Sequence, residues 1–169
     1  MDGSLALLFA LVATAELGFG SCGAETCRSI QPGQGRNAVQ YGEVLFQRER
    51  QGGEIYLQRQ LPARYGALEP VLGLSVSANG DAWLGAGLQW TGALPHQSFV
   101  QLSLLPGLYA QTDGAELGHM IEFRSSAGVG YAFDNGARVS LQFDHRSNGG
   151  LSNDNPGLET FGIRLALPM

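Results

Sequence analysis

His145 and Ser147 stand two residues apart in the segment FDHRSNGGLSNDNPGLETFGIRL, Phe143–Leu165. A serine hydroxyl becomes an effective nucleophile when a neighbouring base takes its proton, and imidazole is the side chain suited to that role. A third group is then needed to hold the imidazole in the right tautomer and to stabilise its charged form. Glu159, in the same segment, is of the right type. Transfer of an acyl group also requires donors aimed at the oxyanion that develops on the attacked carbonyl. Asn148 and Asn155 carry amide N–H groups, and Gly149-Gly150 permits a turn that presents backbone N–H groups. The chemistry these residue types would support is ester cleavage through an acyl-serine.

Such residues work only if the backbone aims them at one place. The stretch RVSLQFDHRS alternates as a strand, with Val139, Leu141 and Phe143 on one side and Arg138, Ser140, Gln142 and Asp144 on the other. Continued, that alternation puts His145 and Ser147 on the apolar side. Glu159 has the parity of Phe161, Ile163 and Leu165, so it too falls on an apolar face. That parity follows from the neighbouring residues, whatever the intervening loop does. Three polar residues interrupt the apolar faces of what reads as one hairpin, with Pro156 and Gly157 shaping the re-entry into its second strand.

The rest of the chain repeats the period-two pattern in short segments closed by turn residues. Strands are expected over 43–50, 54–61, 70–78, 81–91, 98–111, 119–133, 137–147 and 158–167. Gly52-Gly53 reads as the first hairpin turn, and Asn79-Gly80 and Asn135-Gly136 as type I′ turns. One side of these strands is apolar; the other carries Gly, Ser, Gln, Glu and Arg. In a soluble sandwich the apolar side would be the core. In a membrane barrel it meets lipid, and the small and polar side fills a narrow lumen. Strands near ten residues and tight turns alternating with longer connections favour the barrel. Trp83, Trp90, Tyr109 and Tyr131 read as girdle aromatics, and His96 and His119 as interfacial residues.

Composition agrees. Charged residues make up 15% of the chain, Gly reaches 25 residues, and the net charge of −5 leaves no basic footprint for nucleic acid. Leu5 to Ala15 is an apolar run of signal-peptide length, followed by small residues, with cleavage expected near Gly20 or Ala24. The expected organisation is a signal peptide over 1–24, a linker over 25–37 and a β-barrel over 38–169. Cys22 and Cys27 would close a small disulfide loop if both survive cleavage.

The pattern H-x-S-N at His145–Asn148, followed by N-P-G-x-E at Asn155–Glu159, resembles the lipid A 3-O-deacylases of the PagL type. These are outer-membrane enzymes that remove an ester-linked acyl chain from lipopolysaccharide. The resemblance implies an eight-stranded antiparallel transmembrane β-barrel whose active site lies on the lipid-facing exterior, using a serine-hydrolase mechanism with no metal or cofactor. By motif position it makes Ser147 the nucleophile, His145 the general base and Glu159 the third member. Asn155 would line the oxyanion hole, with Asn148 and the Gly149 backbone beside it. The expected partners are lipid A or lipopolysaccharide and outer-membrane lipid, with a homodimer as an assembly to test. Two rival readings are an outer-membrane phospholipase, which would use Asn as its third member, and a non-enzymatic structural or adhesive barrel. The second has no use for His, Ser and Glu on its lipid face.

Overall fold

The computed structural model describes residues 4–19 and 29–169. A helix, α1 (Ser4–Phe19), is followed by ten strands: β1 (Ile30–Pro32), β2 (Arg36–Phe46), β3 (Glu49–Gln60), β4 (Ala63–Tyr65), β5 (Leu68–Ser77), β6 (Ala82–Ala93), β7 (Ser98–Ala110), β8 (Ile121–Ala132), β9 (Arg138–Ser147) and β10 (Leu158–Pro168). Each long strand pairs antiparallel with its neighbour, β10 pairs with β2, and the pairing of β5 with β6 closes the ring. The result is an eight-stranded antiparallel barrel, with β1 and β4 as a small annex beside its terminus-bearing end.

Alternation explains why this sequence closes on itself. Tyr41, Ile55, Leu74, Leu84, Leu141, Phe161 and Ile163 point outward and are exposed. The opposite parity is buried and polar. Inside, Glu54 bridges Arg124 at 2.7 Å and Arg146 at 2.6 Å, while Asp144 receives Arg124 at 2.8 Å and Gln40 at 2.5 Å. Gln58 bonds Gln89, and Arg164 donates to Gln40 and Gln101. Charges so deeply buried persist because they are paired and hydrogen-bonded. Toward the end opposite the termini the lumen turns apolar, where Tyr56, Trp83, Leu105 and Tyr109 pack with Ala115 and Leu117 of the 111–120 loop.

Several expectations need correction. The first barrel strand begins at Arg36, ahead of the expected 43, and its hairpin turns at Gln47-Arg48, where both residues have positive φ (52° and 72°). Gly52-Gly53 lies within β3 instead. Gly52 has φ +110° beside the register shift opposite Val44 and Leu45, and Gly53 leaves room for the Tyr41 ring. At Asn79-Gly80 and Asn135-Gly136 only the glycine has positive φ. Gly80 N–H bonds Ser77 C=O and Gly136 N–H bonds Phe133 C=O, which is a type I turn followed by a glycine bulge rather than type I′. Trp83 and Tyr109 are lumenal, not girdle, residues: Trp83 is fully buried and donates to the Glu122 carbonyl at 3.1 Å. Trp90 and Tyr131 do face outward.

Helix α1 rests on the outside of the barrel. Phe9, Val12 and Ala13 pack on Leu68, Leu88, Trp90, Leu102, Leu104 and Ala127, and Trp90 donates to Glu16 at 3.2 Å. Among the described residues no helix is long and apolar enough to cross a membrane, which says nothing of the strands. Cys22 and Cys27 lie outside the described residues.

Candidate active site

The site is assembled by the register of the hairpin β9–β10. Glu159 pairs directly with His145, and Ser125 of β8 pairs with His145 from the other side. Directly paired residues share a face of the sheet, so all three emerge on the exterior, near the end of the barrel opposite the termini. Glu159 Oε1 lies 3.4 Å from His145 Nδ1. Ser147, two residues along β9, is on the same side as His145, paired with Phe123.

These groups sit at the upper margin of an apolar belt. One step toward the membrane centre, Phe143 and Phe161 face each other across the same two strands, ring centroids 4.7 Å apart, with Leu141 and Ile163 beyond them. His145 and Ser147 are nonetheless buried, at 4% and 9% exposure, and Glu159 is partly open. Water is therefore largely kept from the imidazole by its surroundings. Gly157 is one cause: it has φ +47°, and a Cβ there would lie 2.8 Å from His145 Cε1. The glycine lets the returning chain close over the imidazole.

The loop between the strands is held by Asn148, which is fully buried. Its Nδ2 donates to the carbonyls of Leu117 at 3.0 Å and Asp154 at 2.7 Å, and its Oδ1 accepts from Gly150 N–H. Its backbone N–H donates to Asn155 Oδ1 at 3.0 Å. The Asn148 amide is thus committed to the fold of the loop. Asn155 is anchored through its oxygen and exposed, which leaves its Nδ2 as a donor toward the outside. Gly149 and Gly150 both take positive φ (66° and 84°), the local reason for the Gly-Gly pair.

The structure therefore brings His145 and Glu159 into contact and places Ser147 on their face; Asn155 and Gly149 stand in the loop beside them, and Asn148 serves as its keystone. Sequence reasoning passed over Ser125, whose Oγ donates to the His145 carbonyl at 3.3 Å. Its signal was present, since Ser125 has the outward parity of Phe123 and Ala127. It also passed over Asp144 and Arg146, whose lumenal ion pairs grip β9 on either side of His145. No group of His, Cys, Asp and Glu suited to hold a metal ion occurs among the described residues.

A closed eight-stranded antiparallel barrel with an apolar outer face and a polar, filled lumen is the architecture of a membrane-spanning barrel. The chain belongs to the PagL lipid A 3-O-deacylase family, whose model matches residues 39–168. It is thus an outer-membrane barrel of the lipid A deacylases. Among solved structures it is similar to the crystal structure of the outer membrane enzyme PagL, with a TM-score of 0.63 and 18% identity over 79% of this chain and 99% of that one. It is also similar in fold to Neisserial surface protein A (TM-score 0.58, 8% identity, 84% of this chain and 100% of that). A de novo designed transmembrane β-barrel matches at a TM-score of 0.50, with 14% identity over 81% of this chain and 98% of that. No curated protein sequence matches the chain.

Proposed function

We propose that this chain hydrolyses the acyl ester at the glucosamine 3-position of lipid A through a Ser147–His145–Glu159 triad. Ser147 Oγ attacks the ester carbonyl as its proton passes to His145 Nε2, and Glu159 holds Nδ1–H and stabilises the imidazolium. The tetrahedral oxyanion receives the Asn155 side-chain amide and the Gly149 backbone. Collapse expels the sugar 3-hydroxyl, which takes the imidazolium proton. Water deprotonated by His145 then attacks the acyl-serine, releasing the fatty acid and restoring Ser147.

The observation that carries this reading is the direct pairing of Glu159 with His145 on the lipid-facing side, at 3.4 Å. A barrel needs no such group to stand in a membrane, and polar groups facing hydrocarbon cost several kcal/mol unless paired. The Phe143–Phe161 pair beneath it offers an apolar bed for the acyl chain. Glu in the third position also favours the deacylase over a phospholipase that uses Asn. We further propose that residues 1–24 are a secretory signal; the linker expected over 25–37 ends before Arg36, where the first barrel strand begins. Removal of α1 would return the outer faces of β6, β7 and β8 to lipid. Mass spectrometry of lipid A incubated with the purified protein tests the reading: one acyl chain should be lost, from the 3-position, with wild type and not with Ser147→Ala.

A further inference from the structure

A single cross-strand row runs from the catalytic pair to a cation. Glu159 pairs with Leu45 of β2, and Leu45 pairs with Arg50 of β3, so Arg50 lies on the same outer face and in the same cross-strand row as His145 and Glu159. Three strand spacings separate Arg50 from His145, about 14 Å between backbones. The length of the arginine side chain shortens that gap to the scale of one glycosyl phosphate. Arg50 is well exposed, with 76% of its side chain accessible, and its partner is Glu43 on the same face, at 2.9 Å.

The chain contains no lysine, so arginine carries all of its fixed positive charge. Arg124, Arg146 and Arg164 are buried in the lumen. The other described arginines, apart from Arg48 and Arg50, lie at the end that carries the termini. Arg48 and Arg50, on the β2–β3 hairpin, are therefore the described arginines at the catalytic end that can meet an anion from outside. Lipid A is a phosphorylated glucosamine disaccharide, and a guanidinium fork matches phosphate in two parallel hydrogen bonds. An exposed ion pair such as Arg50–Glu43 is weak enough to exchange its carboxylate for a dianion.

We propose that Arg50, supported by Arg48, is the phosphate-binding subsite of this enzyme, which orients the glucosamine so that its 3-ester meets Ser147. The proposal rests on the lipid A reading above. Glu43 then acts as a competing counter-ion that holds Arg50 in place before substrate arrives. A phospholipid phosphate from the surrounding membrane presents the same chemistry, and substrate dephosphorylation separates the two sources.

The test uses the full chain in neutral detergent and measures kcat and KM on lipid A and on the same lipid A with its phosphates removed, with folding checked by heat-modifiable migration. Wild type should prefer the phosphorylated form at least tenfold. Arg50→Ala should bring that ratio close to one, mainly through KM, and Glu43→Gln should lower KM for the phosphorylated form. If Arg50→Ala does not fold, Arg50→Lys keeps the charge without the fork and should lose part of the preference. A wild-type ratio near one, an equal loss on both substrates, or an unchanged ratio in the Arg50 variants overturns the subsite while leaving the deacylase reading intact. Wild type inactive on both substrates overturns the deacylase reading itself.

Discussion

Glu159 and His145 face each other directly across β9 and β10, with Oε1 3.4 Å from Nδ1, on the outer surface of the barrel. Their meeting is a consequence of register, since a one-residue slip in either strand would send its residue into the lumen. Glu159 should therefore matter as an orienting group that makes no bond to substrate. Glu159→Gln keeps an acceptor and loses the charge; Glu159→Ala loses both. Ala should be at least as damaging as Gln, and both milder than Ser147→Ala, for which a loss of roughly three or more orders of magnitude is expected. Deacylation rates in detergent decide this. Near-wild-type rates in both Glu159 variants would reduce the unit to a His–Ser dyad.

Gly157 should tolerate no side chain. A methyl there would meet His145 Cε1 at 2.8 Å, and φ +47° disfavours any L-residue by about 1–2 kcal/mol. Gly157→Ala should cut kcat at least tenfold by displacing the imidazole, while the protein still migrates as a heat-modifiable barrel. Gly150 is the matched control, because its left-handed φ of +84° has nothing within 4 Å. Equal losses at the two positions would show that loop strain, and not the imidazole contact, is responsible.

Asn148 ties the 148–157 loop to the 111–120 loop through the Leu117 carbonyl. Asn148→Ala leaves the buried Leu117 carbonyl without this donor, at about 1–3 kcal/mol. Both loops should become more susceptible to limited proteolysis, and activity should fall with them. Cleavage confined to one loop would contradict the coupling.

Much of this was legible before the structure. Period two is a strong signal, so the outward parity of His145, Ser147 and Glu159 followed from Phe143 and Phe161 alone. The same rule settles Trp83 and Ser125: Leu84 faces out, so Trp83 faces the lumen, and Ser125 shares the outward parity of Phe123 and joins His145 outside. The turns were harder. Gln47-Arg48 carries no turn signature, and Gly52-Gly53, which does, serves a bulge and a close approach by Tyr41. What the alternation could not convey is which polar residues meet across the lumen, because Glu54 and Arg146 are joined by barrel closure and not by sequence proximity.

That lumenal pairing has its own consequence. Glu54 bonds both Arg124 and Arg146, so Glu54→Ala would strip buried Arg146 of its carboxylate partner and leave Arg124 with Asp144 alone. Breaking a buried pair costs about 3–5 kcal/mol. The urea midpoint for unfolding from lipid vesicles should drop clearly. An unchanged midpoint would show that the network contributes little to stability.

The most direct measurement of the central claim is the mass spectrum of lipid A after incubation with purified wild-type protein and with Ser147→Ala, His145→Ala and a mock preparation. The account predicts loss of one ester-linked acyl chain from the 3-position with wild type, and intact lipid A with both folded variants. Intact lipid A with folded wild type, or deacylation by folded Ser147→Ala, would contradict it.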